Sequence, residues 1–70
     1  MKGEEAVALA DAEKAVLLAP DYARAIETRA EIYERIGRRN GAIADYRAAL
    51  KLQPKFKEAE EGLTRLGEAP

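Results

Sequence analysis

The stretch AIADYRAALKLQP, residues 42–54, shows how this chain is organised. Its apolar residues recur at spacings of three and four, as they do on one face of an α-helix. Pro54 then ends the helix, because proline lacks a backbone N–H and disfavours a helical residue before it. An acid, Asp45, lies at the edge of the apolar stripe. The stretch predicts an amphipathic helix that carries a carboxylate beside its packing face.

The same pattern occurs 34 residues earlier, in the stretch ALADAEKAVLLAP that ends at Pro20. When residues 3–20 are aligned with residues 37–54, seven of the eighteen positions are identical. The identities include the closing proline and the acid, which is Asp11 in the earlier copy. Self-similarity at a fixed period is typical of repeat architectures, so we expect tandem helical units.

Proline and glycine divide the chain into four helical stretches. These cover about residues 4–18, 22–36, 41–52 and 56–66. Asp21 and Asn40 are predicted N-caps, and Gly37 is a predicted left-handed C-terminal cap. Gly62 is expected to weaken the last helix by about 1 kcal/mol relative to alanine. Because the connections are short, neighbouring helices are predicted to be antiparallel, which gives an all-α fold of helical hairpins.

A period of 34 residues, built as helix, turn and helix and closed by proline, resembles the tetratricopeptide repeat. The pattern of that family, W-x2-L-G-x2-Y, A-x3-F, P, can be laid on residues 26–54 without a gap. Ile26 stands in the Trp slot, and only Arg29, in the Leu slot, contradicts the pattern. The residues that fit the family, outright or by a similar side chain, form a predicted structural signature: Ala30, Tyr33, Gly37, Ala42, Tyr46, Ala49 and Pro54.

The resemblance implies a short solenoid of stacked antiparallel hairpins with four helices. In this register, residues 1–70 form a single domain. Residues 4–18 are the second helix of one repeat, residues 23–56 are a complete repeat, and residues 57–66 are a capping first helix of a next repeat. The chain is then expected to be part of a longer array, although the sequence leaves open a complete small protein or a designed one.

Arg29 and Asp45 are predicted to form a salt bridge between two helices. Arg29 lies between Ala25 and Ile32 on a packing face, where a lone guanidinium would be costly unless it were paired. Asp45 lies on the antiparallel partner helix, at the flank of the same seam. The alternative is two independent solvated charges, which contribute about 0 to 1 kcal/mol.

The composition argues against several classes of function. The chain has no His, Cys or Ser, so nucleophile and base arrangements for acyl transfer cannot be built, and we expect no enzyme, cofactor or metal. A net charge of -1 provides no field to gather nucleic acid. No apolar run approaches the length of a membrane span, and nothing resembles a signal peptide. The absence of cysteine favours a cytoplasmic protein.

Binding of another protein or peptide remains as the predicted function. The resemblance implies a concave groove, lined by the first helix of each repeat, that holds an extended peptide or a partner helix. The residues that would line it here are Arg24, Glu27, Thr28, Glu31, Glu34, Arg35, Glu58, Glu61 and Arg65. Acids are in excess, so we expect a basic or neutral ligand. These residues could alternatively be solvated helix faces.

A second interpretation is a structural, self-associating unit. The first helix has no partner before it in this sequence, so Val7, Leu9, Val16 and Leu17 are expected to lack cover. Exposed apolar ends favour a homodimer.

Overall fold

Four α-helices make up most of the protein in a computed structural model, which describes residues 3–70. They are α1 (Gly3–Leu18), α2 (Ala23–Arg35), α3 (Arg39–Leu52) and α4 (Lys57–Arg65). No strand occurs within residues 3–70, so the predicted all-α class is confirmed. The predicted domain starts at residue 1, and its first two residues lie outside the described part of the chain.

Helix α2 is the centre of the packing. It contacts α1 on one side and α3, most extensively, on the other, while α4 packs on α3 and touches α2. Ala30, Ala42 and Ala49 are completely buried in the core that α2, α3 and α4 share, where their small side chains let the helices approach closely. The larger side chains of this core come from α2, α3 and α4 and from the turn before α4: Ile26, Ile43, Tyr46, Phe56 and Leu63.

The turn between α2 and α3 is fixed by Gly37, which has a φ of +83°. Its N–H donates to the Glu34 carbonyl at 3.2 Å, and the Arg38 N–H donates to the Tyr33 carbonyl at 2.8 Å. This pair of bonds satisfies carbonyls that the helix end would leave without partners. The predicted left-handed cap at Gly37 is therefore confirmed.

The two predicted N-caps are wrong. Helix α2 is capped by Tyr22 and α3 by Arg38, and neither side chain makes a capping hydrogen bond. Asp21 lies one residue too early, because the amides of Ala25 and Ile26 bond to the Tyr22 carbonyl. Asn40 lies inside the first turn of α3, which begins two residues before the predicted start. These two helices therefore start without a side-chain capping bond.

Gly62 has a packing role that the expectation of a weakened helix missed. It is buried in α4, and a Cβ atom at this position would overlap the ring of Tyr46. The absent side chain makes room for that ring, which is itself fully buried between helices. Glycine at this position therefore allows α4 to lie close to α3.

Helix α1 packs through a smaller cluster in which Leu9 and Ala12 contact Ile32 of α2. The prediction that Leu9 lacks cover is wrong, because Ile32 lies against it and only 6% of Leu9 is exposed. Val7 and Leu17 do remain exposed, at 62% and 80%. Most of the large apolar side chains that remain exposed thus lie on α1, and Tyr22 and Leu52 are exposed elsewhere.

Candidate functional site

The candidate site is the surface shared by α2 and α4, called here the groove. Two ion pairs cross between the helices. Arg24 Nη2 of α2 lies 3.3 Å from Glu58 Oε2 of α4. Arg65 Nη2 of α4 lies 3.0 Å from Glu34 Oε1 of α2. The structure therefore brings together four of the residues predicted to line the groove.

Glu34 is the best-satisfied acid in the groove. It accepts hydrogen bonds from Arg65 Nε at 3.1 Å, from Arg65 Nη2 at 3.0 Å and from the Tyr46 hydroxyl at 2.8 Å. These donors, Arg65 first, lower the pKa of Glu34. Burial, followed by the bond to Glu34, raises the pKa of Tyr46. Both carboxylate oxygens of Glu34 thus accept hydrogen bonds, and one of the donors is the hydroxyl of the core residue Tyr46 of α3.

Glu27, one of the residues predicted to line the groove, is buried. Only 1% of the residue is exposed, and its Oε1 accepts a hydrogen bond from Arg24 Nη1 at 3.3 Å. Its Oε2 is buried without a hydrogen-bond partner among residues 3–70. Burial, followed by a contact with the Glu31 carboxyl, raises the pKa of Glu27 to about 7. Glu27 therefore forms part of the groove floor.

The remaining predicted groove residues lie closer to solvent. Thr28, Arg35 and Glu61 are exposed, and Glu31 is half-buried. Glu31 and Arg35 line an open cavity of about 420 Å³ together with Glu34 and Arg65. This cavity is the concave part of the groove, and its α2 wall carries the carboxylates of Glu31 and Glu34 and the guanidinium of Arg35.

Arg29 and Asp45 lie on the opposite side of α2, in the seam with α3. Arg29 Nε donates to Asp45 Oδ2 at 2.7 Å, and Nη2 donates to Oδ1 at 2.9 Å. This two-pronged contact raises the pKa of Arg29. The guanidinium also lies 5.7 Å from the ring centroid of Tyr33. The pair predicted from the sequence is thus at hydrogen-bonding distance, with Asp45 only 6% exposed.

Three contacts of the residues that flank α4 were missed by the sequence patterns. The Arg24 guanidinium stacks on the Phe56 ring, 4.9 Å from its centroid, and Phe56 precedes α4. Arg39 and Arg47 of α3 both pair with Glu68, at 3.1 Å and 2.9 Å. Because Glu68 and Phe56 lie outside α4, helical spacing gives no sign of these contacts.

Two further features follow from the described part of the chain. Between residues 3 and 70, no group of three or more carboxylates is arranged to hold a metal ion. None of the four helices has the length and apolarity required to cross a bilayer.

Stacked antiparallel hairpins with a 34-residue internal period define a helical repeat protein. Residues 23–56 match the model of the tetratricopeptide repeat family. That match covers 34 of the 70 residues and supports assigning the chain to this family. No solved structure matches the chain. Repeats of this family are non-catalytic and generally mediate protein–protein interactions.

Proposed function

We propose that this protein is an interaction module that binds an extended peptide or a partner helix of basic or neutral character in the groove of α2 and α4. The observation that carries the proposal is the charge of the groove. Its predicted lining includes five carboxylates (Glu27, Glu31, Glu34, Glu58 and Glu61) and three guanidinium groups (Arg24, Arg35 and Arg65). The ion pairs to Glu58 and Glu34 use two of those guanidinium groups.

A basic ligand would find the unmatched acids on the concave side. Glu31 lines the open cavity beside the saturated Glu34, and Glu61 is exposed on α4. An acidic terminus would instead meet these carboxylates, and like charges brought together disfavour binding. We include a cytoplasmic location in the proposal, because a cysteine-free composition fits a reducing compartment.

Peptide titrations followed by NMR test this function. The probe is a blocked heptapeptide of alternating alanine and lysine, compared with peptides in which glutamine or glutamate replaces lysine. We expect shifts in the amide signals of α2 and α4 with the lysine peptide, and weaker binding after Glu31→Lys. Glu13→Lys on the exposed surface of α1 is the matched control, which should bind as the wild type does. Tighter binding of the glutamate peptide would overturn the proposal.

Self-association is the second candidate function, and the exposed side chains of α1 favour it. Val7, Leu17 and Leu18 are 62%, 80% and 75% exposed, which leaves apolar surface at the end of the stack away from α4. We expect a dimer through this surface to appear in light scattering as the protein concentration rises a hundredfold. Leu17→Lys should abolish it. A wild-type protein that stays monomeric over that range contradicts self-association.

A further inference from the structure

We propose that Glu27 and Glu31 form a subsite on the groove floor that exchanges one shared proton for a cationic side chain of a bound peptide. The inference rests on the proposed peptide-binding function and adds a position and a chemistry to it. The cationic group is the ammonium of a lysine or the guanidinium of an arginine.

The argument begins with the orphaned oxygen of Glu27. A buried carboxylate oxygen normally has a hydrogen-bond partner, but Glu27 Oε2 has none among the described residues while Glu27 is 1% exposed. Its neighbour is the carboxyl of Glu31, one helical turn further along α2. Two ionised carboxylates are acceptors only, so they can hydrogen-bond each other only when one carries a proton. A shared proton therefore satisfies the orphaned oxygen.

The surrounding charges do not replace that proton. The charged groups that act on the Glu27 carboxyl are Arg24 and Glu31 on α2 and Glu58 on α4. Arg24 divides its contacts between Glu27 and Glu58, each at 3.3 Å, which is long for a charge-assisted hydrogen bond. Its guanidinium also lies on the Phe56 ring. One shared cation thus faces three carboxylates, and the burial of Glu27 raises its pKa to about 7.

A ligand would reach this pair through Glu31. Glu31 is half-buried and lines the open cavity of about 420 Å³ with Glu34, Arg35 and Arg65, whereas the buried Glu27 is not among the lining residues. The other acid of that cavity, Glu34, already accepts three hydrogen bonds from Arg65 and Tyr46. A cationic side chain that enters the cavity is therefore best accepted by Glu31. Glu27 acts as the positioning residue that holds or loses the proton.

The charge of the Glu27–Glu31 pair changes by one when the shared proton is lost. With the proton in place the pair carries one negative charge, and after the proton leaves to solvent it carries two. The incoming cation neutralises the second charge. Below about pH 7, binding should release up to one proton and affinity should rise by up to tenfold per pH unit, while well above that pH the release should disappear.

Calorimetry with the blocked alanine–lysine heptapeptide tests the exchange. Titrations in buffers of different ionisation enthalpy, between about pH 5.5 and about pH 8.5, count the protons released on binding. We expect the wild type to release protons at the acidic end and to bind more tightly as pH rises. Glu27→Gln should release none there and should bind with little pH dependence. Glu13→Gln removes an exposed carboxylate of α1, outside the groove, and should keep the wild-type pH profile.

The outcomes separate this inference from the proposed function. If the peptide binds but Glu27→Gln shows the same proton release as the wild type, the inference fails and the peptide-binding function stands. Wild-type binding that does not depend on pH would likewise overturn the inference and leave the peptide-binding function standing. If the peptide binds at no pH, both fail. Circular dichroism checks folding, and Glu31→Gln, which removes the other half of the pair, gives the same test if Glu27→Gln does not fold.

Discussion

Two acids are buried on opposite sides of α2, and their surroundings differ. Asp45, in the seam with α3, receives two hydrogen bonds from Arg29 at 2.7 Å and 2.9 Å. Glu27, at the floor of the groove with α4, receives one at 3.3 Å, and its second oxygen has no partner among residues 3–70. A fully satisfied buried charge fixes a structure, whereas an incompletely satisfied one is available to a proton or a ligand. From this comparison we propose a structural role for the seam and a binding role for the groove.

The two arginines explain the difference. The side chain of Arg29 is 25% exposed and forms its one ion pair with Asp45. The side chain of Arg24 is 52% exposed and divides its contacts between two acids and an aromatic ring. A planar guanidinium donates two parallel hydrogen bonds to one carboxylate only when it is aligned with it. The packing of α2 on α3 provides that alignment for Arg29 and Asp45, whereas Arg24 donates only one hydrogen bond to Glu27.

The largest effect is expected from Arg29→Leu, which would leave Asp45 buried without a counter-charge. Removing one partner of a buried ion pair costs roughly 3 kcal/mol, a large share of the stability of a domain of this size. We expect the free energy of unfolding, measured by urea denaturation, to fall by about that amount. Asp45 would then be a buried acid without hydrogen-bond partners for its oxygens, in the way that Oε2 of Glu27 is.

Two companion variants control this prediction. Arg29→Lys keeps the charge but loses the two-pronged geometry, so its loss should be smaller. Arg29→Leu combined with Asp45→Ala removes both charges and should recover part of the stability lost in the single variant. If Arg29→Leu unfolds at the same urea concentration as the wild type, Asp45 does not depend on its partner.

Gly62→Ala should have the next largest effect. It changes the packing of α4, the helix that forms one side of the groove. The new methyl group would overlap the Tyr46 ring, so α4 would have to move away from α3. Overpacking of this kind costs roughly 1 to 3 kcal/mol, in contrast to the stabilisation that helix propensity alone would predict. Thermal denaturation of Gly62→Ala measures the loss.

Gly3→Ala is the matched control for this variant. A Cβ atom at Gly3 has no neighbour within 4 Å, so the substitution should leave stability unchanged or slightly raised. Equal effects of the two glycine substitutions would contradict the packing role of Gly62.

Much of the fold could be predicted from the sequence because its signals are local and repeated. Pro20, Pro54, Gly37 and the helical spacing of apolar residues identify the four helices and the turn with its left-handed cap. Small residues such as Ala30 and Ala42 mark the close seam, since an apolar stripe must pack against something. The N-caps predicted at Asp21 and Asn40 were wrong, because side-chain propensity at a helix start is weak compared with tertiary packing.

The groove was less predictable because it depends on how α4 sits against α2 and α3. Helical spacing places Glu27 on the same face as Thr28 and Glu31, and only the packing shows that Glu27 is buried. The role of Gly62 depends in the same way on the position of the Tyr46 ring, which belongs to another helix. A period of three or four residues identifies a face but gives no information on what covers it.

Glu27→Gln should change stability in a pH-dependent way. The pKa of Glu27 is raised from 4.5 to about 7 in the folded protein, so between these values the folded state binds more protons than the unfolded state. The free energy of unfolding should therefore fall as pH rises from about 4.5 to about 7. A neutral glutamine removes this loss, so Glu27→Gln should be more stable than the wild type by roughly 1 to 3 kcal/mol at about pH 8.

Urea denaturation at several pH values measures this difference. The two proteins should converge near pH 4.5, where the Glu27 carboxyl is protonated in the folded state. Glu34 acts in the opposite direction, because Arg65 and then Tyr46 lower its pKa and its contribution is lost as pH falls below 4.5. That loss should be common to both proteins. A wild type as stable as Glu27→Gln at about pH 8 would show that Glu27 is fully compensated in the folded protein.

The smallest effect is expected from Asp11→Asn, the counterpart of Asp45 in the other copy of the repeat pattern. Asp11 is exposed on α1, and no arginine reaches it among the ion pairs of residues 3–70. Its substitution should change the free energy of unfolding by no more than about 0.5 kcal/mol, as is typical of surface positions. Asp45→Asn at the same repeat position should cost several times more, because the amide can accept only one of the two hydrogen bonds from Arg29. Urea denaturation of both variants measures the ratio, and equal losses would mean that position in the repeat, rather than the buried arginine contact, determines the effect of the acid.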